Sequence, residues 1–292
     1  MRTIRSLLFT PASKPGWIDK AAHSGADAII LDLEDSVPAS AKAEALAVAA
    51  DKVKELSRAG QRVYVRINRL VHIYDFNEIL RLAQPGLEGI VLPKPNDMSD
   101  IDVAHAMVSE AESRAGLPLN SIVFAAVLET ANSLVLAREI ARHPRVALLI
   151  AASSKNGDVS RSLGFQWSLE GLETLYLRSS AVAAARAAGK LAIGGLWQDV
   201  HDLKGLSSWA AFNRQLGFHG ELALHPSNVP VINAAFSPSQ QDIEYYTDMI
   251  AAFGRAQAEG KAAVVFRGEH IDHAHVKTAN EILEYARNLD RS

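Results

Sequence analysis

The chain has no cysteine among its 292 residues. Disulfides, thiolate nucleophiles and cysteine-held metals are therefore excluded, and any metal must be bound by oxygen or imidazole. It also lacks a charge excess, since 30 Lys and Arg against 33 Asp and Glu leave a formal charge of −3. Without a basic stripe, no nucleic-acid partner is expected. No segment approaches the roughly 18 unbroken apolar residues of a membrane helix, so no membrane partner is expected either. The opening MRTIRSLLFTPASKPG has basic residues and a short apolar patch, but Pro11, Lys14 and Pro15 interrupt it too early for a secretory leader. A soluble, cytoplasmic protein is expected. There is no low-complexity tract, and no repeat short enough for a solenoid.

What the chain does have is length enough for a large core and a regular alternation of two patterns. Short runs rich in Val, Ile and Leu occupy 6–9, 28–33, 62–67, 89–92, 122–128, 146–151, 192–195 and 220–224. Such runs read as strands buried on both faces. Ala-rich helical stretches lie between them, among them SAKAEALAVAADKVKELSRAG, which stops at Gly60 just after Arg58. Strand and helix in alternation predict parallel strands with helical crossovers. Polar or charged residues follow nearly every run: Thr10, Asp32, Arg66, Lys94, Glu129, Ser153 and His225. A (β/α)8 TIM barrel gathers all such strand ends on one face, whereas a doubly wound sheet gathers only a few. The reading is therefore an α/β barrel over residues 1–226, with a C-terminal helical extension over 227–292 that covers a barrel mouth, its own or a neighbour's. Within the extension, helices are expected around 239–259 and 275–288, with an apolar run at 262–266.

One stretch poses a chemical question. In IILDLEDSVP, an apolar strand ends by placing Asp32, Glu34 and Asp35 within four positions. Carboxylates so close repel one another unless a metal, an arginine or open water lies among them. Arg66 and Asn68 alternate on VYVRIN, so both are expected on one face, where the arginine fork suits a carboxylate. Glu129 follows an apolar strand; it suits a hard cation at the barrel mouth, or equally the N-terminus of the helix TANSLVLAREIA. Lys94 in VLPKP could meet a thioester oxygen or a phosphate, or pair with Asp32 or Glu34. His225 either lines the pocket or bonds within the core.

Several motifs, in order, resemble one family: RSLLFTPASKPGWIDKAAHSGADAIILDLEDSVP, VYVRIN, IVLPK, VLET, GDVSRSLG, LGFHGELALHPSNVPVINAAFSPS and GEHIDHAHVKTA. The chain is similar to citrate lyase β-subunit-like proteins within the wider HpcH/HpaI aldolase/citrate lyase family. That resemblance implies a carbon–carbon lyase of the oxo-acid-lyase type, a homotrimer or hexamer that uses Mg2+, with Mn2+ as the alternative. The implied reaction splits a 3-hydroxyacyl-CoA (malyl-, citramalyl- or citryl-CoA) into acetyl-CoA or a homologue and a 2-oxo acid, so the partners are small molecules. By the same resemblance Glu129 and Asp158 are metal ligands, and Arg66 binds the 2-oxo acid. Asn68, Lys94 and His225 are further substrate-binding candidates. Asp32, Glu34 and Asp35 are read as holding metal-bound water and fixing Arg66 from behind. Asp272 is implied as the acid/base supplied to a neighbouring subunit, although by itself it would pass as a helix cap.

Asp158 takes its place only if the loop after the sixth strand carries extra residues at 153–156. Without that insertion Ser154 falls at the ligand position, and Asp158 only caps a helix. Gly194 stands where many relatives carry Asp. Two other readings stay open: an aldolase acting on free hydroxy-oxo acids, and a carrier-dependent citrate lyase β-type subunit.

Overall fold

The computed structural model describes residues 3–289. The chain divides into two compact units between Ala235 and Phe236.

In the first unit eight strands close a barrel in chain order: β1 (Ser6–Pro11), β2 (Ala28–Asp32), β3 (Val63–Arg66), β4 (Leu87–Leu92), β5 (Val123–Leu128), β6 (Val146–Ala151), β7 (Leu191–Gly194) and β8 (Gly220–Ala223). Every neighbouring pair is parallel, including β1 with β8. This is the (β/α)8 barrel expected from the alternation of patterns. Every residue of β2 and β6 is buried, as strands sandwiched between a filled interior and a helical jacket must be. Helix Leu203–Leu216 stops at Gly217, whose φ of 99° is a left-handed position that a side chain would strain.

Strand side chains alternate between the interior and the helices. One apolar cluster, including Leu7, Ile30, Tyr64, Val91, Val127 and Ile193, fills the interior. Two residues farther along three of these strands the same inward row turns charged: Asp32 after Ile30, Arg66 after Tyr64, Glu129 after Val127. A charged collar therefore sits on an apolar plug at the C-terminal end.

The opposite end is closed by ion pairs in which each arginine stands just before a strand start. Arg5 meets Asp27 at 2.7 Å, and Arg62 donates to Glu88 at 2.8 Å, where Tyr64 also donates at 2.8 Å. Arg145 and Glu112 are wholly buried and joined by two bonds of 2.9 and 3.0 Å. The remaining Arg145 donors reach Ile122 O, Ser109 Oγ and His105 Nδ1 at 2.8–2.9 Å.

Helix Asn228–Ala235 packs on β8, β1 and helix Leu203–Leu216, so the barrel unit runs past Pro226, where the sequence reading divides the chain. The second unit pairs helices Gln240–Ala258 and His273–Leu289 with an antiparallel hairpin, β9 (Val264–Phe266) and β10 (Glu269–Ile271). Met249, Phe253, Ile271 and Ala279 form its small core. Among the described residues no helix is long and apolar enough to cross a membrane.

Candidate active site

The DLED carboxylates have cations among them. Arg66, one strand over and in register with Asp32, donates from Nε and Nη2 to the two Asp32 oxygens at 2.6 and 2.8 Å. Asp32 also accepts from the Glu34 amide, the Ser36 amide and the Ser36 hydroxyl. Burial pushes its carboxyl up, but Arg66 and these donors outweigh burial and hold it below the usual carboxylate range. Arg66 Nη1 lies 3.0 Å from Glu34 Oε2, close enough for charge attraction but outside hydrogen-bond alignment. Lys94 donates to Glu34 at 2.6 Å and Asp35 at 3.1 Å, and its ammonium is 3.5 Å from Asp158. Glu34 still titrates above its ordinary value, because burial exceeds the pull of Arg66 and Lys94. Lys94 occupies left-handed backbone at φ 50°, a strained choice for a side-chain-bearing residue. In that conformation its amide donates to Glu129 at 2.9 Å while its ammonium serves the other carboxylates.

Glu129, just past β5, is only 7% exposed, and burial raises its carboxyl to about 7 despite Lys94. Asp158 opens helix Asp158–Leu163, whose cap is Gly157, so its carboxylate is not used as a cap. It reaches instead to Lys94 and Arg161. Glu129, Asp158, Arg66 and Ser153 all line one cavity of about 210 Å3 at the mouth, walled on the apolar side by Val127 and Leu196. Among the described residues no three His, Asp or Glu side chains are grouped as a cage for metal. Asp35 lines the same cavity with its carboxylate drawn to Lys94, and the other two carboxylates there, Glu129 and Asp158, fit a Mg2+-type cation, Glu129 being buried and raised in pKa. Such an ion takes one or two carboxylates and fills its other positions with water and substrate oxygen.

Asn68 lies apart from this group. The chain leaves β3 at Arg66, and Asn68 is held by Leu33 O, Glu78 and Lys42, which occupy both its amide hydrogens and its oxygen. It therefore ties loops together and does not line the cavity, contrary to the expectation from alternation on VYVRIN. His225 Nδ1 is engaged by Ser227, and the ring lines an adjoining groove with Trp17 and Lys20. Asp272 belongs to the second unit, where it is exposed and accepts from Ala274, while its Oδ1 lies 2.7 Å from His275 Nδ1. His275, then the backbone donors, hold its carboxyl below the usual range. Gly194 faces outward, where a Cβ would meet Asn213 and Glu221; Gly195 faces the cavity, and a Cβ there would lie 2.6 Å from Ser153 Oγ.

Three supporting residues escape sequence reading. Lys42 donates to Leu33 O, Glu34 O and Asn68. Glu78 clamps Asn68, and Ser36 braces Asp32. Lys42 and Glu78 read in sequence as ordinary helix-surface charges; only Ser36, beside the acidic run, had a local signal.

The model of the family described as HpcH/HpaI aldolase/citrate lyase matches residues 5–226. A (3S)-malyl-CoA thioesterase of Cereibacter sphaeroides is 30% identical over 282 residues, covering 97% of this chain and 94% of that protein. An L-malyl-CoA/beta-methylmalyl-CoA lyase of the same species is 31% identical over 306 residues, with 98% and 95% covered. Among solved structures, CitE from Mycobacterium tuberculosis in complex with magnesium, acetoacetate and coenzyme A superposes with a TM-score of 0.75 at 27% identity, covering 98% of each chain.

Proposed function

The chain belongs to the HpcH/HpaI aldolase/citrate lyase family, whose members are carbon–carbon lyases, and from that premise we propose that it cleaves a 3-hydroxyacyl-CoA of the malyl, citramalyl or citryl type. The products would be acetyl-CoA, or a short homologue, and a 2-oxo acid. The observation that carries this reading is the meeting of Glu129, Asp158 and Arg66 on one cavity at the barrel mouth.

Glu129 and Asp158 would hold Mg2+, with Mn2+ as the alternative. When bound, the ion supplies Lewis acidity to the substrate hydroxyl and neutralises the carboxylates. Asp32 uses the Nε/Nη2 side of Arg66. The outer Nη hydrogens are what remains for the substrate carboxylate, so Arg66 is oriented before substrate arrives. Cleavage sends the hydroxyl proton to water, turns the C–O bond into the oxo group, and leaves the C–C electron pair as a thioester enolate. The enolate carbon then takes a proton. Asp272 of a neighbouring copy in a homotrimer or hexamer is the proposed donor. His275 and the backbone donors favour its ionised form, so the role requires a site that buries it.

A second reading, thioester hydrolysis, is favoured by the similarity to the malyl-CoA thioesterase. The test is to incubate the protein and Mg2+ with malyl-, citramalyl- and citryl-CoA and with free hydroxy-oxo acids, and to follow both 2-oxo acid and free thiol. A 2-oxo acid released from a CoA ester supports the lyase. Thiol alone supports hydrolysis. Activity confined to free acids, or none without a carrier, defeats both.

A further inference from the structure

Among the polar groups that the scheme above leaves unused, the cavity contains a buried one without a partner. Ser153, two residues past β6, is 1% exposed, and its hydroxyl has no hydrogen-bond partner although it lines the cavity beside Glu129 and Asp158. A buried hydroxyl without a partner costs free energy that a protein of this size rarely leaves uncompensated. The space at Ser153 is maintained by Gly195, since any side chain there would collide with Oγ. The other donors at the mouth have their own oxygens to serve: Lys94 is shared among three carboxylates, and Arg66 is held by Asp32 on one side, which leaves its outer hydrogens for the substrate carboxylate.

Position around the ring bears on which substrate atom Ser153 meets. Arg66 enters from β3, Glu129 from β5, and Ser153 with Asp158 from the loop after β6, in that order. A 3-hydroxyacyl thioester of the malyl type presents its oxygens in a matching order: carboxylate, hydroxyl, then, beyond one methylene, the thioester carbonyl. We propose that Ser153 donates a hydrogen bond to the thioester carbonyl oxygen and stabilises the enolate formed when the C–C bond breaks. This rests on the lyase reading above. The hydroxyl proton goes to water, the C–C pair moves onto the thioester, charge gathers on the carbonyl oxygen facing Ser153, and the α-carbon is reprotonated. Donors placed where charge develops act most strongly in a water-poor site. Water attack on the thioester develops charge on the same oxygen, so hydrolysis, where it occurs, depends on Ser153 as well.

The test compares wild type with Ser153→Ala. The readouts are malyl-CoA cleavage with Mg2+, solvent deuterium exchange into acetyl-CoA, calorimetric pyruvate binding with Mg2+, and thermal melting. The expected result is a loss of roughly a hundredfold in kcat and in exchange, with pyruvate affinity within about twofold of wild type. Tm should be unchanged or higher, because the deleted hydroxyl had no partner. Near-wild-type kcat overturns the proposal. So does a fall in kcat accompanied by weaker pyruvate binding or a lower Tm, which is what a merely disturbed site would give. A wild-type protein that leaves every hydroxyacyl-CoA intact defeats the lyase reading and this proposal with it, a result separable from an active wild type matched by an active Ser153→Ala.

Discussion

The two ends of the barrel are built from the same residue types and use them in opposite ways. At the N-terminal end the carboxylates of the ion pairs each meet a matching arginine: Glu112 is buried, yet Arg145 and backbone amides outweigh burial and hold its carboxyl below the usual range. At the C-terminal mouth the carboxylates outnumber the cations. Asp32, Glu34, Asp35, Glu129 and Asp158 share Arg66 and Lys94, and both Glu34 and Glu129 remain raised. Satisfied pairs hold a structure together. Incompletely neutralised charge beside a cavity marks where the protein leaves room for a cation or substrate to complete the balance.

The sharpest way to break this contrast is to damage the satisfied end. Glu112→Gln leaves Arg145 buried without its counter-charge, and breaking such a pair costs roughly 3–5 kcal/mol. Urea unfolding should show that loss, while the kcat of the fraction still folded stays at the wild-type value. A loss under about 1 kcal/mol would mean the pair is not the structural element its burial indicates.

At the mouth the pattern should invert. Glu129→Gln and Asp158→Asn should each lower turnover on the order of a hundredfold or more, equivalent to about 2.7 kcal/mol or above in the barrier, and weaken Mg2+ binding measured by calorimetry. Glu129→Gln should also leave Tm equal or higher, because it removes a carboxylate that burial already disfavours. Full turnover in Asp158→Asn would move the ligand role to Ser154 and show that the insertion at 153–156 was placed wrongly.

The barrel is legible because its evidence is repetitive: eight apolar runs, nearly all closed by a polar residue, leave few other topologies. The hairpin is only half legible: the apolar run at 262–266 contains β9, but β10 has three residues and two of them are exposed, so no apolar pattern announces it. At the site, the DLED carboxylates and their pairing with Arg66 and Lys94 are legible as expectations, although those partners are 34 and 60 residues away in sequence; which oxygen each nitrogen takes is set only by the barrel ring. Asn68 was misplaced because alternation was carried two residues past the end of β3. Gly194 stands where many relatives carry Asp, yet here it faces outward and the cavity is faced by its neighbour Gly195; an offset of one residue on a strand reverses the side-chain direction. Ser153 is legible as a polar residue at a strand end, but not as an unpartnered one, because being unpartnered is a property of packing and not of spacing.

Glu221 sharpens the comparison with the smallest effect, for it resembles the mouth in chemistry and the opposite end in role. It sits on β8, fully buried and away from the cavity, and burial holds its carboxyl well above the ordinary value against the weaker pull of Asn213 and Arg178. Asn213 stands between the two charges: Arg178 donates to its oxygen at 3.0 Å, and its amide donates to Glu221 at 3.2 Å. Because the folded pKa lies above the unfolded one, the folded protein keeps a proton that the unfolded chain has lost. Stability is therefore fully present below the unfolded carboxylate pKa and declines as pH rises toward the folded value. Arg178, lowered by burial to about 10, stays charged through neutrality and adds no slope there. Urea unfolding at pH 5, 6 and 7 should show wild type losing up to ~1.4 kcal/mol per pH unit relative to Glu221→Gln, which has no proton to lose. Parallel curves would mean that Glu221 is ionised in the fold and balanced by Arg178 through Asn213. Glu221→Gln would then destabilise by stranding the arginine, and Glu221 would join the satisfied pairs of the N-terminal end. In the expected case, a raised carboxylate is not enough to mark a functional site, and it is the cavity beside Glu129 that separates the two glutamates.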